Sequence, residues 1–211
     1  METTNHEIKQ GECISSIAER NGLHWKTIWE HSDNKDLKEK RKNPNVLLPG
    51  DLLYVPEIQL KTESVPTDNR QKFVRKGVPS KLKLRLMKQD KPRANMRYVL
   101  NIDGNLYDGK TDGDGNIFLD IPPGSRDGKL ILYAGKKKET YKINIGHLNP
   151  GDNISGIQQR LANLGISCKI TNINDVQTGE AIARFQEWVN LPITSNVDED
   201  TRKELIKRHG S

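Results

Sequence analysis

Histidine and cysteine, which serve as bases, nucleophiles and metal ligands in many enzymes, occur only five times and twice in this 211-residue sequence. A hydrolase of this size would need a thiol beside a histidine, two opposed carboxylates, or a zinc site. No two histidines have the His-x-x-x-His spacing that puts two metal ligands on one helix face. The five histidines are His6, His24, His31, His147 and His209.

The two cysteines provide one candidate pair of catalytic groups. Cys13 with His6 or His24 is the one conceivable thiol–base pair, and Cys13 lies where a helix is predicted to begin. Cys168 falls in a different predicted module, so we interpret both cysteines as partly buried free thiols. We therefore predict that the protein is not an enzyme, has no catalytic residues and needs no cofactor.

One acidic segment has the alternation of a calcium loop. Asp112, Asp114 and Asn116 are spaced like the start of an EF-hand, but no helical pattern flanks them. A turn between strands is the favoured interpretation, with a calcium site as the alternative. We predict no metal site.

The elements around these residues follow three successive patterns, which predict a multi-domain α+β protein. In residues 1–57, Ile14, Ile17 and Ala18 mark one helix face, and Trp25, Ile28 and Trp29 mark a second. A turn at Pro49-Gly50 then precedes a short strand. The predicted order is strand, helix, helix, strand.

Residues 58–70 are polar and predict a linker. Between 71 and 146 apolar residues alternate with polar ones, and Gly-rich turns separate the runs, which predicts an antiparallel β-sandwich. After a second linker at 147–153, residues 154–211 show three amphipathic helices. Thr178 is the predicted N-cap of the second helix and Asp198 that of the third.

Composition limits the partners. The net charge is +6, but 34 basic residues are diluted by 28 acidic ones along the whole chain, which argues against nucleic-acid binding. Wall teichoic acids or an acidic protein partner fit the charge. No segment is long and apolar enough to span a bilayer. The first residues have no secretory signal pattern, so we expect a cytoplasmic protein, or one exported with an injection apparatus.

The first module resembles a LysM module. The matching residues are Gly11, Ser16, Ile17, Ala18, Pro49, Gly50, Leu53 and Pro56. That resemblance implies binding of glycans that contain N-acetylglucosamine, or docking in a phage-tail-like apparatus. Two departures are a cysteine at the first N-cap, Cys13, and an inserted stretch at 31–44.

The other two modules also resemble known families. Residues 111–118 resemble a turn of carboxypeptidase-regulatory-like sandwiches. The last module is similar to three-helix peptidoglycan-binding domains, through residues 157–161, Leu164-Gly165, Phe185-Gln186, Asp200-Thr201 and Leu205. Its loop at 171–178 departs from the Asp-Gly-x-x-Gly pattern of that family.

Two functions follow from these resemblances. The arrangement resembles accessory proteins of type VI secretion and other contractile injection systems, which would make the chain an adaptor for a spike, baseplate or effector protein. The alternative is a peptidoglycan-binding protein that attaches to the cell wall. For either function we predict that the first module provides the ligand or partner site, formed by Gly11, Glu12, Cys13, Trp25, Lys40, Arg41, Lys42, Asn45 and Val46.

Overall fold

The computed structural model describes residues 5–58, 80–88, 91–135 and 137–210. These residues form two compact units. The first unit contains residues 1–45 and 50–146, and the second contains 46–49 and 147–211, within the limits of the described ranges. The predicted linker at 58–70 lies almost wholly outside the described residues, and the predicted domain boundaries stay predictions.

The first unit begins with the predicted strand–helix–helix–strand order. Strand β1 (Asn5–Glu7) pairs antiparallel with β2 (Leu52–Tyr54), and helices α1 (Ile14–Arg20) and α2 (Trp25–Trp29) lie between them in the chain. Ile14, Ile17 and Ile28 are fully buried. Trp29 is also buried, as its place on the predicted apolar face requires.

The inserted stretch is helical. A 3-10 turn (Ser32–Asn34) leads into helix α3 (Lys35–Arg41), which ends at Lys42 in the left-handed conformation, with φ 57°. Asn34 is 1% exposed and connects this insertion to β2. Its amide donates to the carbonyl oxygens of Ile28 and Tyr54, and its Oδ1 accepts from the Tyr54 N–H, all at 2.8 Å.

The rest of the first unit is antiparallel strand. We call residues 80–146 the strand-rich region. Its four-stranded sheet has the order β10-β9-β6-β7, while β3 pairs with β8 and β4 pairs with β5. The strands are β3 (Ser80–Arg85), β4 (Met87–Lys88), β5 (Lys91–Pro92), β6 (Arg97–Ile102), β7 (Asn105–Lys110), β8 (Asn116–Ile121), β9 (Asp127–Ala134) and β10 (Lys137–Asn144).

The strand-rich region has one apolar core. Leu100 and Ile102 from β6, Leu130 from β9, and Ile117 and Ile121 from β8 belong to a single buried cluster. Side chains of two separate sheets therefore share this core. Strand β9 contributes through alternate positions, as the two-residue period of a half-buried strand requires, whereas β10 contributes Ile143.

The second unit contains three helices, α4 (Ile154–Asn163), α5 (Val176–Trp188) and α6 (Glu199–His209). Ile157, Leu161, Ile182, Phe185 and Leu205 form its core. The third N-cap is Asp198, as predicted. The prediction for α5 is corrected, because its N-cap is Asp175, and Thr178 is the third helical residue whose N–H donates to Asp175 Oδ1 at 2.8 Å.

Buried Arg160 fixes the start of α4. Its Nη1 donates to the carbonyl oxygens of Asn149 and Gly156 at 2.8 and 2.7 Å, and burial lowers the pKa of this guanidinium to about 10. Gly156 is required at its position, since a Cβ there would lie 2.0 Å from the Pro150 carbonyl oxygen. The chain before the helix therefore packs directly on the helix surface.

No helix among the described residues has the length and apolar character needed to cross a bilayer.

Candidate functional site

The β1–α1 turn contains three of the predicted site residues, and it is built around one carboxylate. Gly11 takes φ 83°, a conformation that glycine adopts without strain, and the Glu12 N–H closes the turn on the Lys9 carbonyl oxygen at 3.0 Å. The Glu12 carboxylate accepts from the Lys9 N–H at 3.0 Å and from Arg20, and it bonds His6 Nε2 at 2.7 Å.

These contacts control the charge of Glu12. Burial raises the pKa of this carboxyl group, but the hydrogen bonds from Lys9, His6 and Arg20 outweigh it and hold the pKa at about 2. Glu12 is 4% exposed. Its carboxylate is therefore ionised at neutral pH, and it secures the turn through these contacts.

The turn is also covered by the strand-rich region. Gly146 lies so close that a Cβ there would be 2.8 Å from the Gly11 carbonyl oxygen, and Arg126 Nη1 donates to the Gln10 carbonyl oxygen at 3.4 Å. Gly11 is buried as a result. The sequence pattern did not show this cover, and the prediction that Gly11 and Glu12 meet a ligand stays a prediction.

Cys13 is the N-cap of α1 and is half-buried. Its backbone N–H donates to Ser16 Oγ at 3.1 Å, and Ser16 Oγ donates to the Cys13 carbonyl oxygen at 2.9 Å. His6 bonds Glu12, and in the described residues no hydrogen bond joins Cys13 to a histidine. The geometry gives this thiol no base to activate it.

Trp25 is the first residue of α2 and is half-exposed. Its ring stacks on His24 with centroids 5.9 Å apart, and Lys26 Nζ lies 5.7 Å from the ring centroid. The site therefore includes an accessible aromatic surface beside a cation, and such a surface can pack against the apolar face of a sugar ring or against a protein side chain.

The predicted basic residues of α3 divide into two groups. Arg41 is buried and makes a bidentate pair with Asp51, from Nε to Oδ2 at 2.7 Å and from Nη2 to Oδ1 at 2.8 Å. Lys40 and Lys42 are exposed, and Lys40 Nζ is 3.7 Å from Asp51 Oδ1. Arg41 thus has a structural role in its pair with Asp51, and its predicted part in a partner site stays a prediction.

The last two predicted site residues, Asn45 and Val46, differ in their exposure to solvent. Asn45 is exposed, and its N–H donates to Asn43 Oδ1 at 2.9 Å. Val46 is 9% exposed and is grouped with the second unit. Of the nine predicted residues, the accessible or half-accessible ones are Cys13, Trp25, Lys40, Lys42 and Asn45.

The second unit contains a repeated network that the sequence analysis missed. Gln158 on α4 is fully buried, and its Oε1 accepts from the N–H groups of Thr171 and Asn172 at 3.0 and 2.9 Å. Its Nε2 donates to Thr171 Oγ1, to the Ile173 carbonyl oxygen and to Thr178 Oγ1. One amide side chain therefore fixes the whole loop before α5.

Gln186 on α5 repeats every part of this arrangement. Its Oε1 accepts from the N–H groups of Thr194 and Ser195, and its Nε2 donates to Thr194, Asn196 and Thr201. The signal was present in the sequence as two segments of the form Thr-x-x-x-Asp-x-x-Thr, at 171–178 and 194–201. Each segment also caps the following helix through its aspartate.

The loop before α5 also has an exposed apolar surface. Ile170, Ile173 and Val176 are 56%, 65% and 80% exposed within seven residues. A loop fixed by Gln158 holds these side chains outward, so their exposure follows from the network behind them.

Metal binding would require the described residues to provide a donor set that a metal ion prefers. Among these residues no group of three His, Cys, Asp or Glu side chains could hold a metal ion. The oxygens of Asp112 accept from the Asp114 N–H, the Asn116 N–H and the Asn116 side chain, as in a turn that satisfies its own backbone.

Comparison with known families identifies two regions of the chain. Residues 6–56 match the model described as "LysM domain", and residues 150–205 match the model described as "Putative peptidoglycan binding domain". No curated protein and no solved structure matches the chain. The chain thus contains two regions similar to binding domains, one at each end.

Proposed function

We propose that this protein binds peptidoglycan through both ends of the chain and catalyses no reaction. The observation that carries the proposal is the pair of family matches, at residues 6–56 and 150–205, with one ligand class in common. Two modules on one chain increase the apparent affinity, because the second binding event becomes intramolecular. We further propose that the strand-rich region is a sandwich of the carboxypeptidase-regulatory type that spaces the two modules.

The accessible predicted residues suggest where the first module contacts glycan. Gly11 and Glu12 are covered, so we assign the contact to Trp25 and Asn45. The half-exposed ring of Trp25 offers an apolar surface to a sugar ring, and the exposed Asn45 amide offers hydrogen bonds.

Sedimentation with insoluble peptidoglycan tests the proposal. The full chain should pellet with the polymer, and soluble N-acetylglucosamine oligomers should compete for the first module. Trp25→Ala should reduce pelleting, whereas Trp25→Phe retains an aromatic ring and should preserve most of it. A chain that stays in the supernatant at all polymer concentrations would exclude this function.

The adaptor function in a contractile injection apparatus remains a second candidate. The feature that favours it is α3, an insertion that a sugar-binding module does not require and that exposes Lys40 and Lys42. An acidic protein surface would suit these lysines. Neither matched family description mentions such an apparatus, so the comparisons favour peptidoglycan.

Capture by spike, baseplate and effector proteins tests the second candidate. Lys40→Glu/Lys42→Glu is the informative variant, because it leaves the buried Arg41–Asp51 pair intact. Capture of the wild type that this variant loses would support an adaptor, and equal capture of both would remove α3 from the interface.

A further inference from the structure

The four-stranded sheet has an outer face that the proposed function does not use. Its other face supplies Leu100, Ile102 and Leu130 to the core. Cross-strand register places the outer side chains in three rows. The rows are Lys110, Arg97, Tyr133 and Lys138; Asp108, Val99, Ile131 and Thr140; and Leu106, Asn101, Lys129 and Lys142.

Positive charge is concentrated in the first and third rows. Arg97 is directly opposite Lys110, and Lys129 is directly opposite Lys142. Like charges at directly opposed positions destabilise a sheet. Such pairs are therefore expected where a bound anion can offset the repulsion.

The acidic residues neutralise only part of this charge. Arg97 Nη2 is 2.8 Å from Asp108 Oδ2, and Lys142 Nζ is 3.9 Å from Asp127 Oδ1. Lys110 and Lys129 have no ion pair within the part of the chain that the structure describes. Lys138 Nζ lies 5.5 Å from the centroid of the Tyr133 ring, which Arg97 also approaches at 5.2 Å.

An open depression of about 650 Å³ occurs at the third row. Its basic side chains are Lys129 and Lys142, and Asn101 and Thr140 also line it. The Asn101 Oδ1 is already occupied by the Gly104 N–H at 2.9 Å, which leaves its NH₂ group as a donor. The depression therefore presents ammonium, amide and hydroxyl donors together.

Two acidic residues also line this depression, and both have partners. Asp103 accepts from the N–H groups of Arg126 and Asp127, at 3.0 and 3.2 Å. Asp127 Oδ1 lies 3.9 Å from Lys142 Nζ and offsets part of the charge of that exposed lysine. The depression thus suits a small oxyanion with several acceptor oxygens, such as a phosphate group.

We propose that this outer face binds an anionic wall polymer whose repeating units are joined by phosphodiesters. One phosphate occupies the depression at Lys129 and Lys142, and a second lies near Lys138, on the same strand as Lys142. These two rows are four residues apart along a strand, about 13 Å.

The middle row explains why a polymer fits better than a protein. Val99 and Ile131 are half-buried, Thr140 is uncharged, and Asp108 is paired with Arg97. Uncharged polyol or sugar units between two phosphates would lie over this row. The depression at Lys129 and Lys142 is open and shallow, so it gives an acidic protein no enclosed pocket for an anchoring side chain.

Binding of the full chain to a purified poly(glycerol phosphate) polymer, measured at low and at physiological salt, tests the proposal. Lys129→Gln/Lys142→Gln should weaken binding at least tenfold and flatten its salt dependence. Lys81→Gln/Lys83→Gln is the matched control, because it removes the same charge from exposed positions of β3 and should bind like the wild type. Thermal unfolding of each variant checks that the fold is retained.

Three results would overturn the proposal. These are no binding by the wild type, equal loss in both double variants, and equally tight binding of poly(glutamate), which would indicate an acidic peptide as the ligand. Peptidoglycan from which phosphodiester polymers have been removed separates this inference from the proposed function. Binding to that material tests the two end modules alone, because it contains no phosphodiester polymer that the sheet could bind.

Discussion

At the residue scale, two buried amide side chains with every polar group satisfied organise the second unit. Gln158 and Gln186 each make five hydrogen bonds to the loop that follows their helix. Both are fully buried. An apolar replacement would leave two backbone N–H groups of a loop without partners, so these amides determine the loop conformation.

Gln158→Ala should lower the free energy of unfolding of the second unit by about 2–4 kcal/mol, because it leaves several buried groups unsatisfied. Gln186→Ala should have a similar effect through the equivalent network. Chemical denaturation of the full chain measures both. Gln177→Ala, at an exposed position of α5, is the control and should change stability by less than about 0.5 kcal/mol. Equal stability of all three variants would contradict the role of the networks.

Glu12 makes the stability of the first unit depend on pH. Its folded pKa of about 2 is below the ordinary value, so its contribution is fully present above pH 5 and is lost as pH falls towards 2. At neutral pH, Glu12→Gln should cost roughly 2–3 kcal/mol. The difference between the wild type and the variant should shrink on acidification. Denaturation curves at pH 7, 4 and 2.5 measure it, and a constant difference would contradict the assignment.

At the element scale, α3 is an insertion that depends on one buried ion pair. Arg41→Ala should destabilise the first unit by about 3–5 kcal/mol, since it leaves Asp51 buried without its bidentate partner. Lys40→Ala removes only an exposed contact and should change stability by less than about 1 kcal/mol. Thermal unfolding compares the two. Similar losses would mean that Arg41 and Lys40 have the same role.

Elements with strong periodicity could be predicted from the sequence. Ile14, Ile17 and Ile28 are buried on the helix faces that their spacing indicated, and the alternation around Leu100 and Ile117 corresponds to strands β6 and β8. Periodicity reports which face of an element is apolar, and this information is local.

The residues that pack on a predicted site could not be identified from the sequence in the same way. Gly11 and Glu12 matched a binding turn by sequence, yet residues more than a hundred positions later lie on that turn. Arg41 looked like one of several surface cations, but Asp51 is ten residues away in sequence and its pairing with Arg41 depends on how α3 packs. Both cases concern contacts between elements, which no local pattern contains.

At the scale of the whole molecule, the two compact units have separate cores. The cluster around Leu100 and Leu130 belongs to the first unit, and the cluster around Phe185 and Leu205 belongs to the second. Because each core is assembled from its own elements, each unit should unfold as a cooperative transition of its own. Variants that affect one core should then leave the other transition unchanged.

Calorimetry of the full chain should therefore show two transitions. Gln158→Ala should lower the midpoint of one of them, and Arg41→Ala should lower the midpoint of the other, because these residues stabilise different units. The double variant should show both shifts with little coupling, if the two residues stabilise separately unfolding units. A single transition that both variants move together would show that the units unfold as one body. Binding to peptidoglycan would then have to be explained by one cooperative structure and not by two linked modules.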